Sequence, residues 1–224
     1  DIRDVSIQQF YRDVIDAYAI KVDLLASVGK EKFLYNSLRY YGEPSENDNK
    51  TAEFLLFAKE FEPNEANTID ATEIRDAFLA AIDKHPIKCR VLLTDNIIAN
   101  AMVKSTSRLI QINRSACINK RELNALINHE LEVHMLTTVN SENQKLKIFR
   151  LGLPGNTCTQ EGLAVLSEYM TGNLTLQRLK VLALRVIAVK MMIKDYDFSR
   201  TFKILVDDYG LNQNEAFKIT ARVY

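Results

Sequence analysis

Glycine and proline are scarce in this chain, which limits how often the backbone can turn sharply. The 224 residues include seven glycines and four prolines, well below the roughly 12% that the two contribute to average proteins. Because these residues supply most tight turns, their scarcity favours helices over many short strands. Hydrophobic residues make up 47% of the chain, enough for a buried core at this length. We therefore expect a helix-rich protein.

Charge and motif content exclude several classes of protein. Lys plus Arg and Asp plus Glu each number 29, so the basic excess of a non-specific nucleic-acid binder is missing. Neither GxGxxG nor GxxxxGK[ST] occurs, which excludes the common phosphate-binding loops. The most apolar stretch, Val181–Ile193, contains Arg185 and Lys190 and is too short to span a bilayer, and no signal peptide begins the chain. We predict no nucleic-acid partner and no membrane partner.

Three cysteines, Cys89, Cys117 and Cys158, are widely spaced and form no CxxC motif. This pattern is typical of reduced thiols rather than of a disulfide framework, and it predicts a cytoplasmic location. The chain begins at Asp1 rather than at methionine, and it ends at Tyr224 inside a helical pattern. We therefore expect it to be part of a longer protein.

Apolar residues at helical spacing, together with capping signals, predict helices along most of the chain. The predicted helices cover Ser6–Ser27, Lys32–Tyr41, Thr51–Phe61, Asp70–Lys84, Asn119–Val139, Thr159–Thr171, Leu174–Lys194, Phe198–Tyr209 and Gln213–Val223. Between the fourth and fifth helices, the pattern predicts strands at Lys88–Leu93 and Ser105–Ile112. The polar stretch Ser45–Lys50 is predicted to be a loop. Together these elements predict an α+β fold that is mostly helical.

Histidine is rare, and two of the three histidines are close in sequence. His85 stands at the end of a predicted helix, where we expect it to interact with the helix dipole. His129, Glu130 and His134 lie within one predicted helix. In the HExxH motif of zinc peptidases the histidines are four residues apart, about 40° around a regular α-helix. Here they are five apart, or about 140°, which would separate the two rings.

The five-residue spacing therefore predicts a π-type turn or a helix break between His129 and His134. A π-turn has about 4.4 residues and returns the two rings to one face. Two alternatives stay open at this point. Glu130 and His134, four residues apart, could form the helical ligand pair and leave His129 outside. The motif could also be polar residues on a partly buried helix, with no metal.

A zinc enzyme needs a third protein ligand and an open coordination position. The segment Thr159–Ala164 (TQEGLA) offers the carboxylate of Glu161 near the start of a new helix, with Thr157 and Gln160 as a possible capping box. The helix dipole alone would also favour a carboxylate there. Gly162 costs helix stability, so we expect another element, such as the histidine helix, to pack closely against it.

Glu168 lies seven residues after Glu161, on the same face of the predicted helix. It could orient a ligand histidine from behind. We favour the simpler interpretation that Glu168 is a solvated glutamate or lies at the edge of the core.

The His-Glu-x-x-x-His motif, followed by Gln-Glu-Gly-Leu-Ala at residues 160–164, resembles the QEGLA-motif family. That family includes bacterial proteins described as modulators of flavohemoglobin expression. It also includes the microtubule-associated tyrosine carboxypeptidases of animals, which are zincin-type metallopeptidases. Asn140 and Gln144 match the Asn-x-x-x-Gln that follows the second histidine in the family. The resemblance is continuous from about Lys88 to Glu168.

This resemblance implies that His129, His134 and Glu161 bind zinc and that Glu130 is the catalytic base. It implies a zincin-like fold, α+β and mostly helical, with a small sheet beside the HExxxH helix. We interpret residues 1–224 as a single catalytic domain, with an N-terminal helical portion (about 1–86) and a metal-site portion (about 87–224). Further family motifs follow the position where this chain ends, which again suggests a longer protein.

The predicted function is zinc-dependent removal of a residue from the C-terminus of a peptide or protein. The alternatives are a non-catalytic metal-binding regulatory protein and a metallopeptidase of endo- or aminopeptidase specificity. We expect the strand Ser105–Ile112 to line the cleft and hold an extended peptide by its edge. Four arginines are candidates for binding the substrate carboxylate: Arg108, Arg114, Arg178 and Arg185. Arg185 is the most interesting because it lies inside an apolar helix, but we select none of the four.

Overall fold

The computed structural model describes residues 3–59, 66, 68–153 and 155–224. The α-helices are α1 (Val5–Ala26), α2 (Phe33–Tyr41), α3 (Glu46–Phe57), α4 (Ala71–Ile82), α5 (Lys120–Ile127), α6 (Leu136–Glu142), α7 (Asn156–Met170), α8 (Leu176–Ile193), α9 (Phe198–Asp207) and α10 (Gln213–Val223). The strands are β1 (Ile69–Asp70), β2 (Arg90–Thr94), β3 (Ala101–Lys104), β4 (Leu109–Asn113) and β5 (Cys117–Ile118). A π-helix over Asn128–Met135, called the π-segment below, joins α5 to α6. The predicted mostly helical α+β composition is confirmed.

The chain divides into two compact units. The first combines Asp1–Phe61 with Thr175–Tyr224, and the second is Glu62–Leu174. All described strands and the π-segment belong to the second unit, whereas the described elements of the first unit are helices. The predicted single catalytic domain over 1–224 stays a prediction.

A three-stranded sheet forms the framework of the second unit. Its order is β2-β4-β3, with β4 parallel to β2 and antiparallel to β3. Helix α4 packs against β2 and β4, and β3 contacts the π-segment. The fully buried side chains of this core come from α4, β4, β5 and the π-segment: Ile74, Phe78, Ile110, Ile112, Ile118, Leu131 and Met135. The core therefore attaches the π-segment directly to the sheet.

Helix α8 organises the first unit. It packs against α3, α9 and α10, and its buried residues Leu184 and Ala188 share a cluster with Leu205 of α9. At the solvent edge, Lys190 of α8 pairs with Glu53 of α3 at 2.7 Å. No described helix of the chain combines the length and apolarity needed to cross a bilayer.

Local capping corrects the third predicted helix. The helix begins at Glu46 rather than Thr51, because Ser45 and Asp48 cap each other's backbone in a reciprocal capping box. The predicted loop at Ser45–Lys50 is therefore wrong. The predicted end of this helix, residues 60–61, lies outside the described residues.

The predicted strand Ser105–Ile112 is also wrong in its first half. Ser105–Ser107 forms a 3₁₀ turn, Arg108 adopts the left-handed region with φ 46°, and the strand β4 covers Leu109–Asn113. Because β4 pairs with β2 on one side and β3 on the other, this segment has no free edge for a peptide. The edge strands of this sheet are β2 and β3, and β3 was too short to give an alternating signal in the sequence.

Candidate metal centre

The π-segment confirms the predicted local irregularity between the two histidines. Residues Asn128–Met135 form a π-helix, and the ring centroids of His129 and His134 lie 4.8 Å apart. The side chains of Leu131 and Met135, both fully buried, anchor the other side of the segment in the sheet core. The wider turn therefore turns both rings toward one side while keeping the apolar residues in the core.

Helix α7 lies against the π-segment and supplies the facing carboxylates. Glu161, Ala164 and Glu168 are spaced three and four residues apart, which places them on one face of α7. Ala164 has no exposed surface, so it is the small residue at this tightly packed face. Gly162 is exposed, and no described atom lies within 4 Å of the position a Cβ would take there. The expectation that Gly162 marks the close approach is wrong.

The start of α7 also differs from its prediction. The helix begins at Asn156, with Gly155 in the left-handed region at its N-terminus and no side-chain capping bond. The predicted capping box of Thr157 and Gln160 is therefore wrong. Glu161 lies in the second turn of α7, where the helix dipole is weaker than in the first turn, so the position of this carboxylate requires another explanation.

The carboxylate of Glu161 bridges the two histidines. Its Oε2 lies 3.7 Å from Nε2 of His129, and its Oε1 lies 3.6 Å from Nε2 of His134. One donor atom from each of the three side chains lies within 4.8 Å of the other two. Ligand atoms about 2.0–2.2 Å from a tetrahedral zinc ion are about 3.3–3.6 Å from one another, so the two separations between Glu161 and the histidines are close to those of zinc ligands.

Exposure differs within this group in a way that suits a catalytic site. The histidine side chains are mostly buried, at 11% exposure for His129 and 17% for His134, whereas that of Glu161 is 60% exposed. Glu130 follows His129 in the π-segment and is itself buried. Among the described residues, the group of possible metal ligands contains His129 and not Glu130, in contrast to the alternative pair of Glu130 and His134. The cluster therefore opens to solvent on the side of Glu161.

Glu168 contacts His129 on its other ring nitrogen. Oε1 of Glu168 lies 2.8 Å from Nδ1 of His129, and only 2% of the glutamate is exposed. The favoured interpretation of Glu168 as a solvated or core-edge residue is wrong, and the alternative of a carboxylate that orients a histidine agrees with the contact. The sequence spacing of 161 and 168 indicated a shared face, but not the burial.

The pKa values of the two histidines are shifted in opposite directions. Burial disfavours the charged form of His129, but the neighbouring carboxylates of Glu161 and Glu168 outweigh this effect and raise the pKa of His129 to about 9. Burial lowers the pKa of His134, and the positive charge of His129 lowers it further. At neutral pH a metal ion that binds Nε2 of His129 must therefore displace a proton.

Two neighbouring contacts of the π-segment were not expected. Nε2 of His85 lies 2.7 Å from Oε1 of Glu132, so His85 has a specific partner instead of only the expected interaction with a helix dipole. Nδ2 of Asn128 donates to Oγ1 of Thr171, just past the end of α7, over 3.2 Å. These contacts tie the π-segment to the turn after α4 and to α7.

None of the four candidate arginines is assigned to a substrate carboxylate. Arg108 forms an ion pair with Glu142 of α6, and Arg114 lies 3.2 Å from Asp95. Arg178 and Arg185 belong to α8, in the first unit. The Asn-x-x-x-Gln pair forms a local hydrogen bond of 3.3 Å, from Nε2 of Gln144 to the backbone oxygen of Asn140.

Fold and site define a mostly helical α+β protein with a His-His-Glu cluster built from a π-helix and a second helix. A family model described as microtubule-associated tyrosine carboxypeptidase matches residues 1–224, the whole chain. The chain belongs to this family, which confirms the resemblance to these enzymes and implies a peptidase of the carboxypeptidase type. No curated protein and no solved structure matches the chain.

Proposed function

We propose that this protein is a zinc metallopeptidase that removes a C-terminal residue, such as tyrosine, from a peptide or protein. The observation that carries the proposal is the convergence of His129, His134 and Glu161 in a chain of the microtubule-associated tyrosine carboxypeptidase family. Two histidines and a glutamate are a known ligand set of catalytic zinc, which keeps a fourth position for water or substrate. Cys89, Cys117 and Cys158 form no disulfide, which supports a reducing, cytoplasmic setting.

Zinc bound by these three side chains would polarise the scissile carbonyl and make water a stronger acid. Glu130 is suited to act as the general base: it directly follows His129 and is buried, so its carboxylate is shielded from bulk water. Its carboxylate would accept the proton of the attacking water and then donate it to the leaving amine. The side chain of Glu161 is 60% exposed. A substrate would enter the site from this open side.

We propose β3 as the peptide-binding strand, in place of the segment Ser105–Ile112. One edge of β3 pairs with β4, and no described strand pairs with the other edge. β3 also contacts the π-segment, so a peptide added to its free edge would pass beside the metal ligands. Backbone pairing of this kind holds an extended peptide with little dependence on its side chains.

Zinc content and end-product analysis test the proposal together. The purified full-length protein is expected to hold stoichiometric zinc and to release single C-terminal residues from a peptide library. His129→Ala and Glu161→Gln are each expected to lose the bound zinc, because each removes one of three ligands. Unchanged metal content in both variants would show that the site is wrong. Internal cleavage, or release of N-terminal residues, would instead identify an endo- or aminopeptidase.

Glu130→Gln separates catalysis from metal binding. This variant is expected to keep its zinc and to lose hydrolysis by at least about 100-fold, the lower end of what a general base contributes. Glu122→Gln is the matched control, because Glu122 caps α5 and a glutamine can replace it in a capping box. Peptidase activity retained in Glu130→Gln would refute the assigned base. Stoichiometric zinc without hydrolysis in the unmodified protein would favour a non-catalytic regulatory function.

A further inference from the structure

Glu168 is a buried carboxylate to which the proposed reaction gives no role. Its Oε1 lies 2.8 Å from Nδ1 of His129. We propose that Glu168 is a positioning residue that holds His129 in one tautomer and one orientation, with Nε2 directed at the metal site. This inference rests on the proposed zinc function and names the residue that prepares one of the ligands.

The chemistry of the contact decides which nitrogen carries the proton. An ionised carboxylate accepts hydrogen bonds and donates none, so Nδ1 of His129 is the donor to Glu168. In the neutral ring, Nδ1 then holds the proton and Nε2 holds the lone pair. Nε2 is the atom that lies 3.7 Å from Oε2 of Glu161. The hydrogen bond from Nδ1 therefore leaves the correct nitrogen available on the side of the other two candidate ligands.

Burial makes this orientation specific. The side-chain exposure is 11% for His129 and 2% for Glu168, so little water reaches the hydrogen bond. Rotation of the ring would break a charge-assisted hydrogen bond inside the protein, where water does not replace it. Ring orientation at an exposed histidine would lack this restriction.

One helix supplies both carboxylates that hold His129. Glu161 and Glu168 are seven residues apart on α7, and the buried Ala164 lies between them on the same face. Glu168 contacts the ring at Nδ1, and Glu161 approaches it at Nε2. The packing of α7 on the π-segment therefore positions two carboxylates together: the candidate ligand Glu161 and Glu168, which orients His129.

Two substitutions test the role with measurements other than activity. Glu168→Gln keeps the side-chain volume and one acceptor oxygen but removes the charge. Glu168→Ala removes the charge and the acceptor oxygen together. The zinc dissociation constant, measured by chelator competition on the full-length protein, is expected to rise by about 10–100-fold in Glu168→Ala and to a lesser extent in Glu168→Gln.

The second measurement is nitrogen NMR of the zinc-loaded protein with labelled histidine. The chain has only three histidines, so each ring can be assigned by substitution. The His129 ring is expected to show a protonated Nδ1 whose proton resonates downfield and exchanges slowly with water. This proton is expected to exchange fast in Glu168→Ala and to shift upfield in Glu168→Gln.

Glu142→Gln is the matched control for both measurements. Glu142 is a carboxylate of the same unit that pairs with Arg108, and it does not belong to the candidate ligand group. The control is expected to leave the zinc dissociation constant and the His129 signals unchanged. Circular dichroism checks that each variant is folded, and Glu168→Gln decides the question if Glu168→Ala does not fold.

The outcomes separate this inference from the proposed function. Unchanged zinc affinity and an unchanged Nδ1 proton in folded Glu168→Gln would overturn the positioning role and leave the zinc function standing. Failure of the unmodified protein to bind stoichiometric zinc would overturn the proposed function, and the positioning role with it. Loss of zinc affinity together with the Nδ1 proton, in the Glu168 variants alone, supports the inference.

Discussion

At the scale of single residues, burial gives three glutamates around His129 different chemistry. Glu161 is exposed and presents both oxygens toward the histidine nitrogens. Glu168 is buried and accepts a hydrogen bond on the opposite side of the ring. Glu130 is buried beside His129 in the chain, which suits a base that must be kept from bulk water. The sequence distinguishes these glutamates by their motif positions, but burial depends on packing between α7 and the π-segment.

The ion pair of Arg108 with Glu142 gives a pH prediction at the same scale. The hydrogen bond to Arg108 lowers the pKa of Glu142 below its ordinary value of 4.5. A carboxyl group with a lower pKa in the folded protein adds stability above its unfolded pKa, and that stability is lost as the pH falls through the folded value. Glu142→Gln is therefore expected to lower the free energy of unfolding at pH 7 and progressively less below about pH 4.5.

Urea unfolding at a series of pH values measures this difference. The matched control is Glu122→Gln, which removes a carboxyl group from the same unit while glutamine preserves the capping box. A loss in Glu142→Gln that is the same at neutral and acidic pH would contradict the assignment of the ion pair.

At the scale of elements, the π-segment could be predicted from the sequence because metal binding by both histidines requires it. Two histidines that bind one ion must share a face, and a five-residue spacing shares a face only in a wider turn. No such requirement marked β3 or the 3₁₀ turn at Ser105–Ser107. β3 has four residues, too few for an alternating pattern, and an arginine is not a residue type that signals the left-handed conformation observed at Arg108. The sequence therefore predicted the element at the site better than the elements around it.

The π-segment leads to a test by exchange of two residues. Val133→His combined with His134→Val gives the chain the common HExxH spacing. We expect the double variant to lose stoichiometric zinc, because the π-segment directs residue 134, not residue 133, toward Glu161. Val133→Ala alone, which keeps both histidines, is expected to retain zinc. Full zinc content in the double variant would mean that the segment refolds as a regular α-helix.

The contact of α7 with the π-segment gives a second test by paired substitutions. Ala164→Leu adds volume at a position with no exposed surface, so we expect a cost of about 1–3 kcal/mol and weaker zinc binding. Gly162→Ala adds a Cβ in open space within the same helix, and we expect it to stabilise the protein by roughly 0.4–1 kcal/mol with zinc affinity unchanged.

Thermal unfolding and chelator competition measure both effects. If Gly162→Ala weakened zinc binding and Ala164→Leu did not, the close approach of the two helices would lie at Gly162, as the sequence suggested.

At the scale of the whole molecule, the sequence predicted the secondary-structure content but not the division of the chain into two units. Periodicity and capping predicted most helices, because these signals are local. The division into two units was not predictable in this way, since the first unit combines segments from both ends of the chain, Asp1–Phe61 and Thr175–Tyr224. The second unit contains the three candidate ligands, the three-stranded sheet and Glu168, which contacts His129.

This distribution predicts which helices lose protection from hydrogen exchange when zinc is removed. Zinc that binds only the folded state adds about 4 kcal/mol of stability at a free concentration 1,000-fold above its dissociation constant. Hydrogen exchange measured with zinc and with a chelator is expected to show zinc-dependent protection in α5, the π-segment and α7. Exchange in α1, α9 and α10 is expected to be the same in both conditions. His129→Ala is the control, since without that ligand added zinc should protect none of these helices; zinc-dependent protection limited to the first unit would contradict the assigned site.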